Sequence, residues 1–154
     1  MKAEVAAIGF VRSPRKDLSD DFWGAVEAEI VLADGLGEDA YYGLADFSHV
    51  EVLFLMDRVD PAKVENGARH PRERKDWPLV GIFSQRGKAR PNRIGLSRAR
   101  IVSVDGRTLR VRGLDAIDGT PVLDVKPWMD EFAPIGATRQ PAWATELMLH
   151  YYKD

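Results

Sequence analysis

Apolar and polar residues alternate along several short runs of this chain, with a period nearer two than three and a half. Glu27–Leu32 sets Ala28, Ile30 and Leu32 against Glu27 and Glu29, the pattern of a half-buried strand. Ala6–Val11 predicts an earlier strand, stopped by Ser13-Pro14, and Val50–Met56 a later one. Leu79–Phe83 reads as a further apolar strand. Ile94–Val104 and Thr108–Val111 flank Asp105-Gly106, the dipeptide that most favours a two-residue hairpin turn. Val122–Val125 closes the series. Glu38–Gly43 predicts one or two helical turns stopped by Gly43, and Pro61–Trp77, with no apolar period, predicts a long functional or mobile loop. Ala142–Tyr152 fits a last helix or an extended arm on another subunit. Six or seven strands joined by turns, with little helix, predict a mainly β, antiparallel barrel or sandwich.

The chain has 154 residues, 45% hydrophobic and 30% charged, which suits one domain with a real core and excludes a disordered chain. We take residues 1–154 as that domain, with 129–154 as a C-terminal extension. No apolar run reaches the roughly 18 residues of a membrane span. Met1-Lys2-Ala3-Glu4 lacks a secretory pattern, so a cytoplasmic location fits. The absence of cysteine excludes disulfides, thiolate metal sites and cysteine nucleophiles. No second histidine stands at ligand spacing from His70, so no metal is expected.

The net charge of −2 hides an asymmetry: Arg58–Arg100 carries 12 Lys/Arg and 4 Asp/Glu, a balance of +8, which leaves −10 for the remainder. Such a segment can steer a polyanion toward one face, or can pair with the acidic remainder. Its focus is Gly81–Ser97, where Arg86, Lys88, Arg90 and Arg93 surround Gly87 and Pro91. That loop is either a solvated turn or a shaped rim for an anion. His49, just ahead of a buried strand, reads as a packed, hydrogen-bonded histidine. Asp124 in the last strand calls for a buried pair with Lys126 or an arginine.

Four segments then stand in one order: Ile8–Pro14, Leu44–His49, Arg90–Ser97 and Leu114–Trp128. The third resembles an "RPNPIGLS" signature and the fourth its companion "LDALDGTPVLDIKPY". Together they resemble the TrmO-like group, also called YaeB or TsaA-like. The resemblance implies a small single-sheeted β-barrel, usually a homodimer, that binds S-adenosylmethionine. It also implies methylation of N6 of threonylcarbamoyl-adenosine at tRNA position 37.

Carried over by position, the implied cofactor contacts are Arg86, Leu96, Ile117, Asp118, Gly119 and Thr120, with Met56 and Asp57 where the family commonly has Phe-His. Phe22-Trp23-Gly24 stands where it has Pro-Arg-Gln. Lys88, Arg90, Arg93, Arg72 and Arg74 are expected to meet RNA phosphates. Asp118 and Asp115 are the candidates for a base. Methyl transfer from a sulfonium is an in-line displacement, so the chain needs no covalent nucleophile or metal. The altered first loop keeps two further readings open: the same cofactor chemistry on an acceptor other than tRNA, and a non-catalytic RNA- or ligand-binding barrel.

Overall fold

The computed structural model describes residues Met1–Asp154. Six strands form one sheet that closes on itself: β1 (Gly9–Arg12), β2 (Glu27–Leu32), β3 (His49–Leu55), β6 (Ile94–Asp105), β7 (Thr108–Arg112) and β8 (Pro121–Pro127). Around the barrel the order is β1-β2-β7-β6-β3-β8, with every pairing antiparallel. Closure removes the unpaired edges that an open six-stranded sheet would expose.

The two-residue period does what it predicts. Ala28, Ile30 and Leu32 of β2 meet Val50, Val52 and Phe54 of β3, Leu109 and Val111 of β7 and Val122 of β8 inside the barrel. Burying each larger side chain contributes about 1.5–3 kcal/mol. The hairpin forms as expected, with Asp105 opposite Thr108 and Gly106 at φ 55°. Tyr41, from the 3-10 turn Glu38–Tyr41, plugs one end of the core and donates its hydroxyl to the Ile30 carbonyl at 3.2 Å.

Three expectations change. Leu79–Phe83 is not a strand: only β5 (Val80–Gly81) pairs, with β4 (Ala68–Arg69), and Ile82–Ser84 turns away as a 3-10 turn. The turn is favoured because it buries Ile82, whose N–H reaches the Gly67 carbonyl at 2.8 Å. The long excursion between β3 and β6 is therefore braced, with Gln85 Nε2 donating to the Arg69 and Val80 carbonyls at 3.0 Å each. Asp124 does pair with Lys126, at 2.7 Å, but on the outer wall: their side chains are 46% and 62% exposed.

The tail crosses back over its own chain. After α1 (Ala142–Leu147), the carbonyls of His150, Tyr151 and Lys153 accept the N–H groups of Phe22, Trp23 and Gly24 at 3.0, 2.8 and 3.4 Å. Glu146 on α1 accepts the Trp77 indole N–H at 2.9 Å, which ties the excursion to the tail. No helix is long and apolar enough to cross a membrane.

Gly95 on β6 faces inward, where a Cβ would overlap the Phe54 ring. Gly95→Ala is expected to lower stability by about 1–3 kcal/mol, as an overpacked core position does. The check is the midpoint of chemical denaturation, and Phe54→Leu in the same chain is expected to restore part of the loss.

Candidate active site: an arginine-lined cleft beside the long strand

β6 has twelve residues but two different partners. Ile94–Arg100 pairs with β3, and Arg100–Asp105 pairs with β7. Beside Leu96–Arg98 the β7 edge is therefore missing, because the chain leaves the sheet at Gly113. A cleft of about 570 Å³ opens there, lined by Gly24, His49, Arg86, Leu96, Ser97, Arg98, Arg100, Arg112, Gly113 and Tyr152. Arg86 closes part of the gap: its Nη2 donates to the Leu96 carbonyl at 2.6 Å, which satisfies a strand group that has no neighbouring strand.

Two buried polar atoms on this side lack a completed hydrogen bond, Ser97 Oγ and Asp115 Oδ1. Ser97 lies beside the Tyr152 hydroxyl. The other Asp115 oxygen accepts a short hydrogen bond from the Tyr151 hydroxyl. Burial, with the Asp115 charge second, pushes the Tyr151 phenol well above its usual range, and the Tyr152 phenol is raised by the same two causes.

The second sequence-predicted group lies elsewhere. Asp118 lines a different cleft of about 450 Å³, with Arg12, Ser13, Lys16, Glu27, Glu29 and Arg110. Its Oδ1 accepts the Ser13 N–H at 3.0 Å and its N–H donates to the Arg15 carbonyl at 2.9 Å, so it holds the exit of β1 in place. Arg58 Nη2 reaches the Asp118 carbonyl at 3.4 Å and brings Met56–Arg58 alongside Gly119. Arg93 Nη1 fixes the same turn through the carbonyls of Asp57 and Val59, at 3.5 and 2.8 Å, and Met56 N–H returns to Arg93 at 2.8 Å. Ile117 accepts the Thr120 hydroxyl at 2.7 Å, and Thr120 is buried. The expected cofactor residues thus form two sets in one chain: Arg86 with Leu96, and Met56, Asp57 and Ile117–Thr120. No hydrogen bond or ion pair joins Arg86 to Asp118.

The expected phosphate contacts are largely engaged by the protein itself. Arg72 pairs bidentately with Asp21, at 2.8 and 3.1 Å, and Arg74 pairs with Asp76. Lys88 sits 3.6 Å from Asp20 and donates to the Leu18 carbonyl, and Arg90 donates to the Gln85 carbonyl at 2.7 Å. No group of three or more histidines, aspartates or glutamates stands together as a metal site would need.

The cleft's own cations were not singled out by the sequence pattern. Arg98, Arg100 and Arg112 are outward residues of β6 and β7, and His49 is exposed at the start of β3 instead of packed. The signal was there in the hairpin. Counting back from Asp105 opposite Thr108 nearly sets Arg112 against Arg100, but a bulge between Ile101 and Ser103 adds the one residue that counting cannot supply.

Known proteins point the same way. Residues 14–133 match the tRNA-methyltransferase O N-terminal domain family. The chain belongs to this family. A probable S-adenosyl-L-methionine-binding protein of Methanothermobacter thermautotrophicus is 36% identical over 141 residues, covering 88% of this chain and 97% of that one. The mouse tRNA (adenine(37)-N6)-methyltransferase is 38% identical over 95 residues, which is 62% of this chain and 22% of the mouse protein. The crystal structure of TrmO from Pseudomonas aeruginosa superposes with a TM-score of 0.74 at 27% identity, over 93% of this chain and 62% of that one. This TrmO-family chain therefore spans about a fifth of the mouse enzyme and under two thirds of the solved TrmO. The barrel expected from the resemblance is the barrel observed.

Two tyrosines set an alkaline limit on stability. Burial raises Tyr41 from 10.0 to about 12, and Tyr151 shifts in the same direction. Both phenols hold their protons more tightly folded than unfolded. Their contribution is complete below pH 10 and is lost as pH rises past it, at up to about 1.4 kcal/mol per pH unit for each group. Tyr151→Phe is expected to flatten the fall in melting temperature above pH 10. It is also expected to cost about 1–3 kcal/mol at neutral pH by orphaning Asp115. Melting curves at pH 7, 9 and 11 read both effects.

Proposed function

We propose that this chain is an S-adenosylmethionine-dependent methyltransferase whose acceptor is tRNA, at N6 of threonylcarbamoyl-adenosine 37. The observation that carries the reading is the composition of the arginine-lined cleft. Arg86 and Leu96 come from separate stretches, and both are positions where the family resemblance puts cofactor contacts. The names of its relatives, an S-adenosylmethionine-binding protein and a tRNA adenine-37 N6-methyltransferase, support it.

Arg86 would hold the methionyl carboxylate, with the Ser97 hydroxyl on the same cleft as an acceptor for the amine. The bound cofactor supplies an electrophilic methyl group. The protein's task is to place the acceptor nitrogen in line with it, exclude water and take the proton that N6 loses. Asp115 and Asp118 remain the candidate bases. Each keeps one carboxylate oxygen without a hydrogen bond, while Tyr151 holds the other oxygen of Asp115 and the Ser13 N–H that of Asp118.

The separation of the second set, Met56, Asp57 and Ile117–Thr120, favours a homodimer in which one copy completes the other's site. Exposed apolar side chains near the Arg86 loop fit such a contact: Leu79, Phe83, Ile94 and Leu96 are 61%, 76%, 42% and 40% exposed. A different acceptor is the second reading, favoured by Phe22-Trp23-Gly24, whose backbone is bound by the tail.

Titration calorimetry with S-adenosylmethionine tests the site. Arg86→Ala and Asp118→Ala are each expected to weaken binding at least about tenfold, the loss of a charge-assisted hydrogen bond. Unchanged affinity in both would remove these residues from the site. Mass spectrometry of tRNA nucleosides from a strain lacking the gene tests the acceptor: the methylated nucleoside is expected to disappear, and its persistence would favour the second reading.

A further inference from the structure

We infer that Arg100, with Arg98, Arg112 and His49, forms a receiving site for consecutive RNA phosphates on the outer barrel wall. The inference rests on the tRNA reading above and says which face of the protein the RNA backbone touches.

The first support is register. Arg100 stands directly opposite Arg112 on β7 and directly opposite His49 on β3. Like charges placed opposite one another across a sheet oppose folding. Elsewhere the wall avoids this: Arg98 meets Glu51 at 3.0 Å, Arg110 meets Glu29 at 2.7 Å, and Lys126 meets Asp124 at 2.7 Å. Arg100 alone in this group has no hydrogen bond or ion pair. Arg112 continues the row toward Glu27 on β2 but makes no ion pair with it; its partners are the Gly24 carbonyl at 3.1 Å and Asp154 of the tail at 3.6 Å.

The second support is charge. The cleft is lined by four arginines and a histidine, and no carboxylate lines it. S-adenosylmethionine carries a sulfonium, an ammonium and one carboxylate, so it is a net cation. One guanidinium, Arg86, matches its carboxylate; Arg98 and Arg112 have carboxylate partners outside the cleft, and the unpaired Arg100 would repel the rest of it. Surplus positive field in a cleft of this kind attracts a polyanion. Neighbouring strands lie about 4.8 Å apart, so the row from Arg112 through Arg100 to His49 spans about 10 Å. That length serves more than a single phosphate. Arg98 adds a guanidinium stacked on Trp128 at 4.2 Å, which fixes its plane.

The test is fluorescence anisotropy with labelled bulk tRNA, titrated across a salt series. Arg98→Gln/Arg100→Gln is expected to weaken binding at least about tenfold at low salt and to flatten the slope of log affinity against log salt by about 1–2. Lys2→Gln/Lys63→Gln, at two exposed cations outside the cleft, removes the same amount of charge elsewhere and is expected to lose at most about twofold. Equal losses in the two would show only net charge and overturn the inference, as would an Arg98→Gln/Arg100→Gln variant that binds like wild type. Arg100→Gln alone breaks no contact, so it is expected to fold with a raised melting temperature. Tripolyphosphate should then stabilise wild type more than Arg100→Gln, and equal stabilisation would also overturn it. Calorimetry of wild type with S-adenosylmethionine reads the methyltransferase proposal separately: that proposal can fail while the tRNA measurement succeeds, and the reverse.

Discussion

The structure depends on a mismatch of lengths. β6 is the longest strand of the barrel, and neither neighbour matches it: β3 covers its first part and β7 its last. Closure of the barrel is therefore complete at one end of β6 and interrupted at the other. Peptide groups along an interrupted edge must find partners or remain costly. Arg86 supplies one such partner through the Leu96 carbonyl, and the tail approaches the same gap with Tyr151 and Tyr152. A recess lined by polar and charged groups, set into an otherwise hydrophobic-cored wall, follows from this geometry before any ligand is considered.

Electrostatics divides the molecule along a different line from the one its charge count suggests. The strongly basic stretch from Arg58 to Arg100 is folded so that most of its excursion is neutralised locally, by Asp20 and Asp21, Asp76 and backbone carbonyls. What stays unmatched is Arg100 on β6, from a part of the sequence where arginine and apolar residues simply alternate. Local composition measures where cations occur, whereas register decides which of them are left with uncompensated field.

The barrel was legible because burial in a sheet imposes a period of two, and the outward glutamates and arginines of β2 and β7 kept that period clean. The hairpin at Asp105-Gly106 was legible because its turn chemistry is local. The excursion from Pro61 to Phe83 was not. Its order comes from isolated buried groups such as Ile82, Trp77 and Gln85, which bond across the sequence and leave no periodic trace. The loops that build the clefts were legible only through their resemblance to a family, since nothing in Leu114–Thr120 by itself declares that Asp115 will meet a tyrosine 36 positions onward. Likewise the tail's aromatic spacing gave no hint that it would lie against its own first loop.

That contact between tail and first loop binds two distant positions to each other. At Gly24 a Cβ would collide with the Tyr152 carbonyl, so the backbone there is as close as two chains can lie. The family commonly has glutamine at this place. A chain that keeps glutamine has no room for the tail along this path, and a chain that adopts the path has no room for the side chain. Glycine at 24 and the returning C-terminal strap are thus a matched pair. Grafting either one alone into a relative would leave a steric conflict or an uncovered loop.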